Sequence, residues 1–356
     1  MISKEFFKNI DEVVTERDLT REQVLDAFEQ GLVAGCKKAH DVRSCRVEFK
    51  EDKNEILVYK QQLVVDEYSI EADKNYTQIL LEDAKEFNAR AKVGDIIEQK
   101  IDPKDFSYYA VRDFKSRLNE ALVDFQKKNL YQHFKQLEHE MINARVIDID
   151  DTHYRLDIGK DLTTLLPKKE ALPKDNFHVG DHVRVYVTDV EMKTKWPKVF
   201  VSRIHPSLII RLLELYIPEI KEGKIEVMGI SRDPGDRSKV GVKSNVESID
   251  PIGACVGEKG SRIREIVNAL SGEKIDLFRW ADNEKDLITN ALQPARVEAV
   301  THVNPKEKSA LAIVPDDHLS LAIGKLGQNV KLAVQACGWS IDIKSVTMAQ
   351  GEGIIF

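Results

Sequence analysis

Residues 207–347 carry one succession of elements twice, and each copy places a Gly-X-X-Gly unit between two helical segments. In the first copy a helical run at 208–216 precedes a strand at 224–227, the turn Asp233-Pro234-Gly235 and a strand at 238–242. Next come Gly257-Glu258-Lys259-Gly260 between helices and a closing strand at 274–277. In the second copy the helix lies at 284–292 and the strands at 296–299 and 309–313, around Asn304-Pro305-Lys306. Gly324-Lys325-Leu326-Gly327 and a strand at 340–343 complete it. Ile263, Arg264 and Val267 correspond to Val330, Lys331 and Val334. A repeat with matching flanks constrains the fold strongly, because each copy must be one supersecondary unit. The reading is helix, two strands, two helices, strand, twice over, joined through 281–283.

Glycine lets the backbone turn tightly between helices and lets a sugar–phosphate strand come close. The helix after the loop offers its N-terminal N–H groups to phosphates. This is the KH mode, a clamp on about four nucleotides of single-stranded nucleic acid. Candidate contacts in the first loop are Gly257, Glu258, Lys259, Gly260, Ser261, Arg262 and Arg264. In the second they are Gly324, Lys325, Leu326, Gly327, Gln328, Asn329 and Lys331. With Lys259, Arg262 and Arg264 the first loop is expected to supply more electrostatic attraction, and the second more positioning. The competing reading is a pair of helix–turn–helix units with no ligand, and the doubled pattern weighs against it. Residues 253–260 also imitate a nucleotide hydrolase's phosphate loop. Only three residues separate Gly253 from Gly257, however, and Gly260 follows Lys259 where Ser or Thr is needed.

The formal net charge of -7 excludes a chain that coats nucleic acid by charge alone. The excess is local: residues 1–140 hold 23 Lys and Arg against 29 Asp and Glu, whereas 141–204 hold 11 against 10. No apolar run is long enough to cross a membrane, and the N-terminus turns charged at once, unlike a secretory signal. The four cysteines, Cys36, Cys45, Cys255 and Cys337, form no Cys-X-X-Cys pair. The expectation is a reducing cytoplasm, with no disulfide scaffold and no structural metal.

The first third reads as α+β. A helix is expected at 2–14 and another from Val24 to Val33, opened by a capping box at Thr20-Arg21-Glu22-Gln23. Strands at 45–49 and 56–59 form a hairpin, a further strand spans 96–101, and 105–137 reads as one long connector helix. Alternation at 146–149, 154–158, 179–187 and 198–203 suggests a small barrel of the OB kind. Its candidate RNA contacts are Tyr154, His182, Lys193 and Lys195, with Phe177, His178 and Tyr186 nearby. His178 with His182, and Asp148 with Asp150 and Asp151, read better as surface and turn residues than as metal ligands. No nucleophile–His–acid signature is present, so no catalytic residue and no cofactor is assigned.

The stretch Asp250-Pro-Ile-Gly-Ala-Cys-Val-Gly-Glu-Lys-Gly-Ser-Arg-Ile263 with Gly272-Glu-Lys-Ile-Asp-Leu277 closely resembles the first KH domain of the NusA family of bacterial transcription factors. Asn290-Ala-Leu-Gln-Pro-Ala295 is similar to the junction to that family's second KH domain, and Leu319-Ser-Leu-Ala-Ile-Gly-Lys-Leu-Gly-Gln-Asn-Val330 to its signature. Ser202-Arg-Ile-His-Pro206, Ile217-Pro-Glu-Ile220 and Lys104-Asp105-Phe106 extend the likeness over nearly the whole chain. The resemblance implies a multidomain α+β protein: an N-terminal polymerase-binding domain with a long connector helix (1–139), an OB-fold barrel of the ribosomal-protein-S-one type (140–204), and two tandem type II KH domains (αββααβ; 205–281 and 282–350). It implies a non-enzymatic cytoplasmic monomer that binds RNA polymerase core, nascent single-stranded RNA and other elongation or antitermination factors, and modulates pausing, intrinsic termination and antitermination. Some members carry acidic C-terminal repeats; with the sequence ending at Phe356, autoinhibition through them is not expected. The alternatives are an RNA chaperone or RNA-decay accessory free of polymerase, and a ribosomal structural protein, which would be far more basic.

Overall fold

The computed structural model, which describes residues 6–69, 73–194 and 196–356, begins with helices α1 (Phe6–Arg17) and α2 (Arg21–His40). Residues 2–5 of the first expected helix lie outside the described residues. Thr20 accepts from the Gln23 amide while the Gln23 side chain accepts from the Thr20 amide, so the expected capping box forms. Strands β1 (Ser44–Lys50) and β2 (Glu55–Val65) make the expected hairpin. β3 (Thr77–Leu80) then pairs parallel to β2, α3 (Leu81–Phe87) follows, and β4 (Ile96–Ile101) pairs antiparallel to β2. The long helix α4 spans Tyr108–Gln136. The chain divides into two compact units, 1–133 with 193–197, and 134–192 with 198–356.

In the first unit α2 buries Val24 and Ala27 against Ala121 and Leu122 of α4, and Leu32 and Cys36 against Val47 and Val58 of the sheet. One expectation fails here. Cys36 and Cys45 form a disulfide across a Cα–Cα distance of 6.6 Å. The short turn between α2 and β1 folds the helix end back onto the strand, a juxtaposition that sequence spacing alone does not reveal.

The second unit opens with five strands: β5 (Met141–Ile149), β6 (His153–Asp157), β7 (Thr163–Pro167), β8 (His182–Met192) and β9 (Pro197–Ser202). They order as β7-β6-β5-β8-β9, and the Thr164 hydroxyl donates to the Val199 carbonyl, joining the outer strands as a barrel requires. β7 was not expected. It buries Thr164 and exposes Leu165, an inversion of hydropathy that hides its period.

The repeat follows. The first copy is α5 (Ser207–Tyr216), α6 (Pro218–Lys221), β10 (Ile225–Asp233), β11 (Arg237–Ser244), α7 (Pro251–Val256), α8 (Ser261–Ala269) and β12 (Lys274–Arg279). The second is α9 (Glu284–Ala291), β13 (Ala299–Asn304), β14 (Ser309–Val314), α10 (Leu319–Ile323), α11 (Gln328–Cys337) and β15 (Ser340–Ser345), with α12 (Val346–Gly351) appended. Each three-stranded sheet joins an antiparallel hairpin to a parallel third strand, as the type II KH order demands. Leu208, Leu212, Val240, Cys255 and Ile266 centre the first core; Ile288, Ala312, Ala333 and Trp339 centre the second.

The two copies meet where α11 lies on β10. A Cβ at Gly229 would stand 2.0 Å from the Ala336 carbonyl oxygen, so this strand position admits only glycine. Nearby the Ser231 hydroxyl bonds Gln335 Oε1 at 2.7 Å. A buried ion pair between Arg232 and Glu273 closes the first copy internally, with Gly235 N–H and the Ser238 hydroxyl also donating to the carboxylate.

Candidate nucleic-acid interface

The two glycine loops have the same backbone. Gly257 sits at φ 75°, ψ 175° and Gly324 at φ 77°, ψ 170°. Lys259 (φ 50°, ψ 28°) matches Leu326 (φ 54°, ψ 28°), and Gly260 (φ 77°, ψ 19°) matches Gly327 (φ 76°, ψ 12°). The first glycine of each loop occupies a region that side chains avoid. The last lies in the left-handed well, where glycine is unstrained.

Each loop delivers the chain to a helix whose first turn no side chain caps. The leading N–H groups of α8 and α11 are therefore left to an outside acceptor, and the helix dipole favours an anion there. Two exposed cations accompany each loop: Lys259 and Arg264 at the first, Lys325 and Lys331 at the second. Arg264 also donates to the Lys259 carbonyl at 2.9 Å, bracing the loop. Glu258 and Ser261 are exposed beside them, and Leu326 is 98% exposed at the tip of the second loop.

Three of the expected contact residues turn away from this surface. Arg262 donates to the Ala254 carbonyl and to Glu219, both close to 2.7–2.8 Å, and so is occupied within its own domain. Asn329 is buried, with its amide bonded to backbone carbonyls. Gln328 Nε2 donates to Asp233 at 2.7 Å and Asp236 at 2.6 Å, two carboxylates of the first copy. That bond holds the Asp236 carboxyl below the usual carboxylate range. With Arg262 withdrawn, the expected electrostatic advantage of the first loop disappears. A groove of about 360 Å³, lined by Arg232, Asp233, Asp236, Lys325, Gln328 and Lys331, runs along the seam between the copies.

The barrel residues divide as well. Tyr154 is buried: its ring packs edge-on to Phe177 and beneath Lys168, so it is a core residue and offers no stacking face. Its place in the strand alternates with exposed Arg155, the side the alternation assigns to solvent. His182 is exposed and stands opposite Arg145 across β5 and β8, with Asn143 Nδ2 3.5 Å from its Nδ1. Lys193 is exposed. Lys195 lies outside the described residues. Asn143, Arg145 and Arg155, which sequence reading missed, form with His182 a polar face over β6, β5 and β8. The signal was present: they alternate with buried Ala144, Val146 and Leu156. Arg145 is partnered by Asp157 at 3.2 Å and Arg155 by Asp148 at 3.9 Å, which tempers the face's positive charge. Among the described residues, no three His, Cys, Asp or Glu side chains converge as a metal site would require.

Comparison with known proteins adds to this geometry. Four family profiles match in chain order: NusA N-terminal domain over residues 5–128, S1 domain over 140–189, NusA-like first KH domain over 203–280, and NusA-like second KH domain over 284–350. Several proteins named transcription termination/antitermination protein NusA are similar over nine-tenths or more of their own length. The one from Halalkalibacterium halodurans is 37% identical, with 99% of this chain and 91% of the relative aligned. The Bacillus subtilis protein is 37% identical over 95% of this chain and 90% of its own. The Thermus thermophilus protein is 32% identical over 98% and 92%.

Proposed function

The chain belongs to the NusA family, and on that premise we propose that it is an RNA-binding factor of transcription termination and antitermination that works on RNA polymerase. The observation that carries the RNA half is the duplicated loop: one backbone shape, made twice, each time before a helix start left open to phosphate. The ligand is nascent single-stranded RNA, held about four nucleotides to each KH loop. In this reading residues 257–261 and Arg264, with 324–327 and Lys331, face the RNA. Arg262, Gln328 and Asn329 shape the loops from beneath. His182 with Asn143, Arg145 and Arg155 gives the barrel a weaker contact, and Lys193, which belongs to the other compact unit, is a separate candidate.

The polymerase half rests on the first third. Its excess of acidic residues disfavours RNA and suits a protein partner. We place the domain limits at 139/140, 204/205 and 281/282, and assign the chain a non-catalytic role as a cytoplasmic monomer, able to join other elongation or antitermination factors. Among the described residues, no helix is long and apolar enough to cross a membrane. Size-exclusion chromatography with RNA polymerase core tests the docking. The full chain should co-elute with the core, and a chain lacking residues 1–133 should not. Co-elution unaffected by that deletion contradicts the assignment. Equal RNA binding with no polymerase association favours the chaperone reading instead.

A further inference from the structure

Five residues past the first glycine of each loop, a polar side chain folds back onto the helix before the loop. In the first copy Arg262 Nη1 donates to the Ala254 carbonyl at 2.7 Å. In the second, Asn329 Nδ2 donates to the Ala322 carbonyl at 3.0 Å and the Leu292 carbonyl at 3.1 Å. Both residues lie directly under the first glycine. A Cβ on Gly257 would meet Arg262 Cγ at 2.7 Å, and one on Gly324 would meet the Asn329 backbone nitrogen at 2.6 Å and its Cβ at 2.8 Å. Displacing either residue therefore displaces the loop.

What holds these two residues differs. Arg262 is anchored by Glu219 of α6, in its own domain. Asn329 is anchored by both: its Nδ2 is held by carbonyls of its own domain, while its Oδ1 accepts from Lys239 Nζ at 2.8 Å, and Lys239 lies on β11 of the first KH domain. The same ammonium donates to the Ala291 carbonyl at 2.6 Å and the Gln293 carbonyl at 2.8 Å, at the end of α9. Three acceptors meet the three N–H bonds of an ammonium. Lys239 is 1% exposed, and an ammonium is costly to bury even when it is satisfied. The first of these residues is thus held from within its own domain, and the second from its own domain and from its neighbour.

We propose that Lys239 and Asn329 are positioning residues for the second clamp, through which the first KH domain holds the loop at residues 324–327 in its phosphate-receiving shape, so that the second clamp grips RNA only while docked on the first. The proposal rests on the RNA reading above. It predicts a dependence that a merely structural lysine lacks. Burial draws the Lys239 pKa down to about 8, in the company of Asp276, Arg237 and the Cys337 thiol. Above that pH the folded protein gains stability as the buried charge is lost, while the brace on Asn329 weakens. Stability and second-clamp affinity then move in opposite directions.

The test is a variant cycle read by fluorescence anisotropy, using the full chain and a labelled polyadenylate of about twelve nucleotides, long enough for two clamps. Lys239→Met is measured alone, with Gly260→Asp to disable the first loop, and with Gly327→Asp to disable the second. We expect Lys239→Met to weaken binding about fivefold alone and with Gly260→Asp, and to add nothing with Gly327→Asp. With Gly260→Asp, affinity should also fall as the pH is raised through about 8, and this step should vanish with Lys239→Met. An equal loss in both glycine backgrounds, no loss alone, or a pH step that survives Lys239→Met overturns the proposal. If Lys239→Met lowers the circular dichroism signal, Asn329→Ser goes through the same glycine cycle, where the same pattern of losses supports or overturns the proposal. Should both glycine variants bind as tightly as the wild type, the RNA reading fails and takes this proposal with it.

Discussion

Arg203 and Asp175 meet in a bidentate pair withdrawn from solvent, with Nε to Oδ2 at 2.6 Å and Nη2 to Oδ1 at 2.9 Å. Arg203 directly follows the last barrel strand, and its Nη2 also donates to the Ala269 carbonyl at 3.1 Å, while the Ser271 hydroxyl donates to Asp175 at 2.6 Å. The barrel and the first KH domain therefore share one buried charge pair. Removing a single partner leaves the other uncompensated, at a cost of about 3–5 kcal/mol. Asp175→Asn should lower the urea midpoint accordingly. An unchanged midpoint would mean that the two domains do not depend on this pair.

Lys239 makes part of the stability depend on alkaline pH. Its pKa falls from 10.5 to about 8 on folding. Below about pH 8 both folded and unfolded states carry the proton, and the full cost of the buried charge is present. Between about 8 and 10.5 only the unfolded state keeps it, so the contribution of this lysine rises with pH, by at most about 1.4 kcal/mol per unit, while above about 9 the buried Cys255 and Cys337 thiols act in the opposite sense. Urea unfolding of wild type against Lys239→Met across this window should show the difference in stability between them shifting in favour of the wild type as the pH rises. Parallel curves would place the charge elsewhere.

The two unpaired thiols should be inert. Burial pushes Cys255 up to about 12 and raises Cys337, and only the thiolate reacts at useful rates. Iodoacetamide at neutral pH should modify neither in the folded chain and both in urea. Cys36 and Cys45 should react only after reduction, because they are joined. Mass spectrometry distinguishes these patterns, and rapid labelling of Cys255 in the folded protein would contradict the buried placement.

The capping box at Thr20 gives a local test of the first unit. Thr20→Ala removes the acceptor for the Gln23 amide and should cost about 1 kcal/mol. Thermal unfolding should shift down by a few degrees, and Thr20→Ser should restore most of the loss. Equal stability in all three chains would deny the cap any role.

Much of this architecture was legible because it is local. The Thr20 box, the β1–β2 hairpin and both glycine loops depend on residues close in sequence, and each forms where expected. What stayed hidden depends on residues brought from afar. Asn329 and Gln328 look like loop-surface residues until Lys239, Asp233 and Asp236 arrive from the preceding domain. Arg262 looks like a phosphate ligand until Glu219 claims it. Tyr154 reads as a stacking platform only if its strand's inner side is ignored. The Cys36–Cys45 bond requires knowing how sharply α2 turns into β1.

The central claim is that the two loops clamp RNA phosphates. Gly260 and Gly327 are the positions to change, because their φ of 77° and 76° lies in the left-handed region that Asp tolerates, and a Cβ there meets nothing nearer than 3.9 Å. The decisive measurement is the affinity of the Gly260→Asp, Gly327→Asp double variant for single-stranded RNA over a salt series, with circular dichroism on the same samples. The account predicts an unchanged spectrum, an affinity about tenfold lower or worse, and a log K against log salt slope shallower by about 0.7 for each phosphate that the variant no longer neutralises. An unchanged spectrum with unchanged affinity and slope would contradict it.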